Sequence, residues 1–448
     1  YESDDEAREL IDMARKVEGM PRHASTHAAG VVITHDPVVS YVPLARNDEA
    51  VVTQFPMTTL EELGLLKMDF LGLRTLTVIS SAEKMIRKKV PDFDINKVSL
   101  EDKAVFDMMC AAQTEGVFQF ESAGMRSVLS QLKPTSLEDL IAVISLYRPG
   151  PMDSIPTYIE NRHNPHKIRY KTPELKNILE VTYGCMVYQE QVMQICRDLA
   201  GYSYGRADIV RRAMAKKKHD VMEKERDIFI NGLTENGKIV VEGAVRRGVP
   251  RDKANEIFES AANEIFDEMI SFASYAFNKA HAAAYAYVAY QTAWLKCHYP
   301  CEFFAALLTS FLDNTGKVVQ YINECSKSGI KILPPHINES SVEFSVSGKN
   351  IHFSLLAIKG IGKNFISRII DERKINGYFI DFYDFCRRMH GKDFNRRTLE
   401  NLIKCGAFDG MGANRRQMMN SIEPILEELE SSKRRNVEGQ IGFGDLTS

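Results

Sequence analysis

The chain has 448 residues, of which 44% are hydrophobic and 26% charged, and its net charge is −3. That length suits about three domains, and the composition excludes collagen-like, disordered and membrane-spanning classes. The near-neutral total does not announce a polyanionic partner, so any basic site has to be local. The acidic start YESDDEAREL is unlike a targeting segment. It reads as the interior of a helix with no N-cap, as in a chain cut from something longer, and the helix runs to Gly19 with Pro21 beyond. GVVIT, YVPL, VVTQF and LGLLKMDFL then read as strands of a sheet, and RTLTVISSAEKMIRKK as a helix. The first ~80 residues are thus an α+β piece.

From about 99 to 325 the pattern is helical, with LEDKAVFDMMC, SLEDLIAVISLY, YQEQVMQICRDLA, GRADIVRRAMAKKK, RDKANEIFESAANEIFDEM and AHAAAYAYVAYQTAWLK as the clearest elements. KILPPHINES reads as a Pro-rich hinge, VEFSVSGKNIHFSLL as a β-hairpin, and 381–430 as helical. The fold class is therefore mainly α with a smaller α+β N-terminal part. The eight cysteines are scattered and form no C-x-x-C, which points to reduced thiols in a cytosolic protein rather than a zinc site.

Three patterns carry chemistry. AIKGIGKNFISRII has the h-x-G-h-G core of a helix-hairpin-helix. Gly360 and Gly362 would permit a tight turn presenting backbone N–H groups to a phosphate, with Lys359 and Lys363 adding charge. LENLIKCGAFDGMGANRRQMM looks like a degenerate second copy, with Arg415 after its turn. The plainer alternative is an αα-corner. Residues 206–218 carry a net charge of +5, from Arg206, Arg211, Arg212, Lys216, Lys217 and Lys218 against Asp208. Such a basic helix binds phosphate or is simply a solvated face. In FNKAHAAAYAYVAYQTAWLK, Lys279 and His281 open a helix at the end that suits anions, although an Ala-rich core helix explains the same run. Among carboxylates, Asp69 lies in KMDFLG, and Asp92 and Asp94 form a D-x-D in PDFDIN. The polar setting of that D-x-D argues against metal binding, and one carboxylate does not hold two metal ions.

Taken in order, HASTHAAGVVI (23–33), LLKMDFLGLRTL (65–76), GVFQFES (116–122), YRPGP (147–151), RADIVRRAMAKKK (206–218), FNKAHAAAYAYVAYQT (277–292), KILPPHIN (331–338) and IKGIGK (358–363) give a resemblance along essentially the whole chain. It resembles the bacterial DNA polymerase III alpha subunit family, the C-family replicative polymerases. The resemblance implies that 1–75 is the second part of a palm, 76–330 the fingers, 331–436 a duplex-binding domain with tandem helix-hairpin-helix elements, and 437–448 a linker with a candidate sliding-clamp motif. Asp69 would be a catalytic aspartate and metal ligand, with Lys67 beside it. Arg211, Arg212, Lys279 and His281 would bind the incoming nucleotide. Lys216, Lys217, Lys359, Gly360, Gly362, Lys363 and Arg415 would contact DNA. Gln440, Ile441 and Phe443 would contact the clamp. Implied partners are primer-template DNA, a dNTP, the sliding clamp and other replisome subunits, without a membrane, in the bacterial cytoplasm near the nucleoid. The reaction implied is nucleotidyl transfer to a primer 3′-hydroxyl with two magnesium ions. The family's D-x-D pair lies upstream of the segment seen here, so this chain alone is expected to be inactive. The competing expectation is a non-catalytic DNA- and clamp-binding module.

Overall fold

The computed structural model describes residues 1, 4–20, 25–47, 49–215, 219–231, 239–246, 248–273, 276–391 and 394–435. Lys216, Lys217, Gln440, Ile441 and Phe443 lie outside the described residues. The chain divides into two units, Tyr1–Leu73 and Arg74–Ser448.

In the first unit, helix α1 (Asp5–Val17) does have an N-cap. The Asp4 carboxylate accepts from the N–H groups of Glu6 and Ala7, so the expected uncapped start is corrected. The strands β1 (Gly30–Ile33), β2 (Leu44–Asn47), β3 (Ala50–Thr53) and β4 (Leu66–Asp69) form two separate antiparallel ribbons, β1–β4 and β2–β3, rather than one sheet. YVPL is mostly not a strand: a 3-10 turn at Val38–Ser40 ends at Tyr41, and only Leu44 enters β2. A short helix, α2 (Met57–Glu62), connects β3 to β4. At six residues it is too short to show a helical period in sequence.

The second unit is mainly helical. Helices α3 (Arg74–Arg87), α4 (Lys103–Cys110), α5 (Ala123–Leu132), α6 (Leu137–Leu146) and α7 (Ile155–His163) come first. Then follow α8 (Lys176–Leu179), α9 (Gln189–Ala200), α10 (Tyr204–Ala215), α11 (His219–Asn231), α12 (Ile239–Arg246), α13 (Arg251–Ala273), α14 (Lys279–His298), α15 (Pro300–Ser310) and α16 (Thr315–Lys327). Ser122, Ser136, Asn278 and Asn314 each cap the helix that follows them with a side-chain oxygen. Ile195, Val210, Phe229 and Phe266 centre one apolar core, around α8–α13. Phe120, Leu140, Tyr188 and Tyr290 centre another, between α4–α6 and α14. The alanine run of α14 belongs to that second core: Ala282, Ala286, Ala289 and Ala293 are all fully buried, one per turn. Small side chains there let α14 and α6 approach closely, while Ala280 and His281 in the first turn of α14 stay exposed.

KILPPHIN is not a free hinge. Its Ile332–Leu333 forms β5, parallel to β7 (Asn350–His352), and β7 pairs antiparallel with β6 (Ser345–Ser347) around a turn at Gly348. Phe344, just before β6, and Ile351 of β7 share a core with Phe303, Leu308 and Tyr321. Parallel pairing with a later strand leaves no local signature, which is why the prolines read as a linker. The remaining helices α17 (Lys363–Asn376), α18 (Phe382–Met389), α19 (Arg396–Lys404) and α20 (Arg415–Arg435) surround a core of Phe365, Phe385, Leu402 and Phe408. All eight cysteines are free. No helix of the described residues is long and apolar enough to cross a membrane.

Candidate active site and nucleic-acid interface

The β1–β4 register sets Gly30 opposite Asp69 and Val32 opposite Lys67, so Lys67 and Asp69 lie two apart on one face. Lys67 Nζ donates to Asp69 Oδ1 at 2.6 Å. That hydrogen bond holds the Asp69 carboxyl below its ordinary range, and charge from Lys67 and His27 adds to it. His27 was not anticipated from sequence. Its Nδ1 accepts from the N–H groups of Ala29 and Gly30, which folds the ring back over the strand beside Asp69. A Cβ on Gly30 would stand 2.8 Å from His27 Nδ1 and 3.1 Å from Asp69 Oδ1, so only glycine admits this arrangement. A cavity of about 490 Å³ between the two ribbons takes Lys67, His27 and Gly30 into its lining.

Asp69 is a single carboxylate with an ammonium on one oxygen. No group of three or more metal-ligating side chains occurs among the described residues. A two-metal centre needs more oxygen ligands than this, so the described residues do not by themselves fit one. Asp94 is occupied structurally: it caps the 3-10 turn Ile95–Lys97 by accepting from Asn96 N–H. The D-x-D of PDFDIN is thus a turn element.

In the second unit, a parallel bridge between Tyr188 and Phe277 ties the start of α9 to the start of α14. Gln189 N–H donates to Phe277 O at 2.9 Å, and Gln189 Nε2 donates to Ala276 O at 3.0 Å. The same Gln189 accepts from Arg211 Nη1 at 3.1 Å, which connects α10 to the junction. Residues 87 apart in sequence, Gln189 and Ala276, are brought together this way. Arg211 forks Asp208 Oδ1 through Nε and Nη2 at 2.9 and 2.7 Å, and Arg212 Nε reaches Asp208 Oδ2 at 3.0 Å. Lys279 Nζ pairs with Glu138 Oε2 at 3.1 Å and lies 5.2 Å over the Tyr188 ring. Its backbone N–H donates to the Glu190 carboxylate, as does Asn278 Nδ2. His281 is exposed, edge-on to Phe277 and 4.4 Å from the Tyr285 ring centroid. The acidic partners Asp208, Glu138 and Glu190 were missed from sequence. Only Asp208 had a local signal, its i, i+3 and i, i+4 spacing to the arginines.

At the hairpin, Gly360 has φ +80°, while Gly362 has an ordinary φ of −77° and caps α17. The strained turn thus needs the first glycine only. The element before it is a 3-10 turn, Leu355–Ala357, rather than a full helix. Lys359, Gly360, Gly362 and Lys363 are all exposed. Asn401 Nδ2 donates to Lys359 O at 2.9 Å and so locks the first hairpin to the second. In the second, Asn414 and Gln417 form a reciprocal cap at the start of α20. Arg415 is less available than its sequence position suggested: Nε donates to Asp409 Oδ1 at 2.9 Å, and Nη1 to Lys404 O at 3.2 Å. Arg397, beside Gly360, extends the exposed basic face, and Arg416 in the first turn of α20 is exposed as well.

Three family models match in succession: the bacterial DNA polymerase III alpha NTPase domain over residues 1–72, the bacterial DNA polymerase III alpha subunit finger domain over 75–237, and a helix-hairpin-helix motif over 329–418. DNA polymerase III subunit alpha of Bacillus subtilis is 45% identical over 94% of this chain and 36% of its own length. The chain belongs to the bacterial DNA polymerase III alpha subunit family. The Staphylococcus aureus relative is 44% identical over 93% of the chain and 38% of its own length, and that of Thermus aquaticus 44% over 99% and 35%. The chain therefore spans little more than a third of the alpha subunits it matches. The finger-domain match includes α6, α9 and α10, so it takes in Glu138, Gln189, Asp208, Arg211 and Arg212, while Lys279 and His281 fall between that match and the helix-hairpin-helix match.

Proposed function

We propose that this chain supplies the nucleotide-gripping and duplex-holding parts of a DNA-directed DNA polymerase that extends a primer 3′-hydroxyl. The observation that carries the reading is the convergence of Arg211, Arg212 and Lys279 at the α9–α14 junction in a chain 44–45% identical to alpha subunits. Two guanidiniums and an ammonium at one junction suit a triphosphate, whose spread charge is best met by preorganised cations. His281, exposed against Phe277 and Tyr285, offers a flat surface at the same helix start. The exposed cations Lys359, Lys363, Arg397 and Arg416 suit the sugar-phosphate backbone of a duplex without reading its sequence.

Asp69 would contribute one carboxylate toward divalent metal, magnesium in this reading, together with carboxylates that the described residues do not provide. Lys67 would tune that carboxylate and hold it ionised. Docking of a sliding clamp through Gln440, Ile441 and Phe443 belongs to the same proposal, as do other replisome subunits and a place beside the bacterial nucleoid. The alternative, a DNA- and clamp-binding module without catalysis, is favoured by one observation, the solitary Asp69.

Nucleotide binding separates the two readings. Arg211→Ala removes a forked, charge-assisted contact of about 1.5–3 kcal/mol, so dNTP affinity of the 448-residue chain should fall roughly ten- to hundredfold. Unchanged affinity in both Arg211→Ala and Arg212→Ala would refute the nucleotide site. Primer extension by the 448-residue chain alone should be undetectable, and robust extension abolished by Asp69→Ala would overturn the view that Asp69 needs further carboxylates.

A further inference from the structure

Each cation assigned to the nucleotide already holds a carboxylate. Asp208 uses both oxygens, Oδ1 for the fork of Arg211 at 2.7 and 2.9 Å and Oδ2 for Arg212 at 3.0 Å. This is how a phosphate oxygen pair is held between two guanidiniums. Glu138 occupies Lys279 Nζ at 3.1 Å. Glu190 accepts from the N–H of Lys279 and from Asn278 Nδ2, so it sits at the N-terminus of α14, where an anion is favoured. Three carboxylates from three helices thus fill three anion positions around one junction. None is sealed in: the Asp208 side chain is 33% exposed and that of Arg212 59%. An incoming anion can therefore reach the pair.

We infer that Asp208 is an internal competitor for the nucleotide's phosphates, a specificity-determining residue that the triphosphate has to displace from Arg211 and Arg212. The inference rests on the nucleotide site proposed above. A polyanion with several charges can displace Asp208, while an anion with one phosphate gains too little to do so. Selectivity then comes from a cost imposed on weak ligands as well as from attraction to the right one. Asp208 also tethers both guanidiniums to one carboxylate, so the two cations are held together before the nucleotide arrives. Glu138 and Glu190 repeat the device at the other side of the junction.

The test uses the 448-residue chain and two probes, inorganic triphosphate and orthophosphate, titrated calorimetrically at low ionic strength. An exposed ion pair is worth up to about 1 kcal/mol, or roughly fivefold in affinity. Asp208→Asn should therefore tighten triphosphate about three- to tenfold and raise orthophosphate affinity by at least the same factor. Asp208→Glu, which keeps the charge, should bind triphosphate within about twofold of the native chain. A gain of affinity on removing a residue is not what loss of a structural contact would give. Native or weaker triphosphate binding by a folded Asp208→Asn, with Arg211→Ala still weakening it, overturns the competitor role and leaves the nucleotide site standing. Unchanged binding in both Arg211→Ala and Arg212→Ala overturns the nucleotide site and the competitor role together.

Discussion

Asp139→Ala should destabilise the second unit far more than loss of an ordinary ion pair would. Asp139 lies in the first turn of α6, one residue after Glu138, the partner of Lys279, so it anchors the helix that presents that carboxylate. Its side chain is 3% exposed and that of its partner Arg162 12%. Arg162 forks it through Nε at 3.1 Å and Nη2 at 2.9 Å, Thr135 N–H donates at 2.8 Å, and Tyr183 Oη at 3.3 Å. Truncation leaves a guanidinium in a buried setting with Thr135 Oγ1 as its remaining acceptor. Breaking such a pair by removing one partner costs about 3–5 kcal/mol. Replacing both, as Asp139→Ala with Arg162→Met, removes the stranded charge and should recover most of that loss. The assay is urea denaturation of the native chain, both single variants and the double variant, read as a double-mutant cycle. A single-variant loss under about 1 kcal/mol, the range of exposed pairs, or strict additivity in the cycle, would refute the reasoning.

The same carboxylate sets an acid dependence. Burial pushes the Asp139 carboxyl up, but the Arg162 fork and the Thr135 N–H outweigh it and hold the group below its ordinary value. Its stabilising contribution is therefore complete above the unfolded value of about 4 and lost as pH falls through the lower folded value. The stability gap between the native chain and Asp139→Asn should shrink below pH ~4 in urea melts repeated across pH. Gly360→Ala forces a side chain into φ +80° and sets its Cβ 2.8 Å from Asn401 Nδ2. A loss of about 1–2 kcal/mol is expected from the backbone alone, measured by denaturation, with weaker duplex binding because the Asn401 tie to Lys359 O is disturbed. Lys359→Ala with Lys363→Ala should lower duplex affinity uniformly across sequences and reduce the log–log salt slope by about 2, measured by fluorescence anisotropy at several salt concentrations. A sequence-dependent loss would contradict backbone contact there.

Much of this protein is written locally in the chain. The helical periods of α6, α9, α10 and α13, the caps at Ser136 and Asn314, and the left-handed turn at Gly360 all follow from residues within a few positions of one another. Motifs such as KMDFLG and RADIVRRAMAKKK pointed to Asp69 and Arg211 for the same reason. What surrounds those residues was not local. Lys279 meets Glu138 across 141 positions, and Asn401 ties down Lys359 across 42. Arg415 as a brace on Asp409 and β5 as a strand rather than a hinge depended on geometry that periodicity does not encode. Sequence spacing singled out the clustered cations and the pair of hairpin glycines, and backbone geometry showed that only Gly360 takes the left-handed conformation. Tertiary packing decided which carboxylates those cations hold, because an ion pair forms only where the fold brings two side chains within a few ångströms.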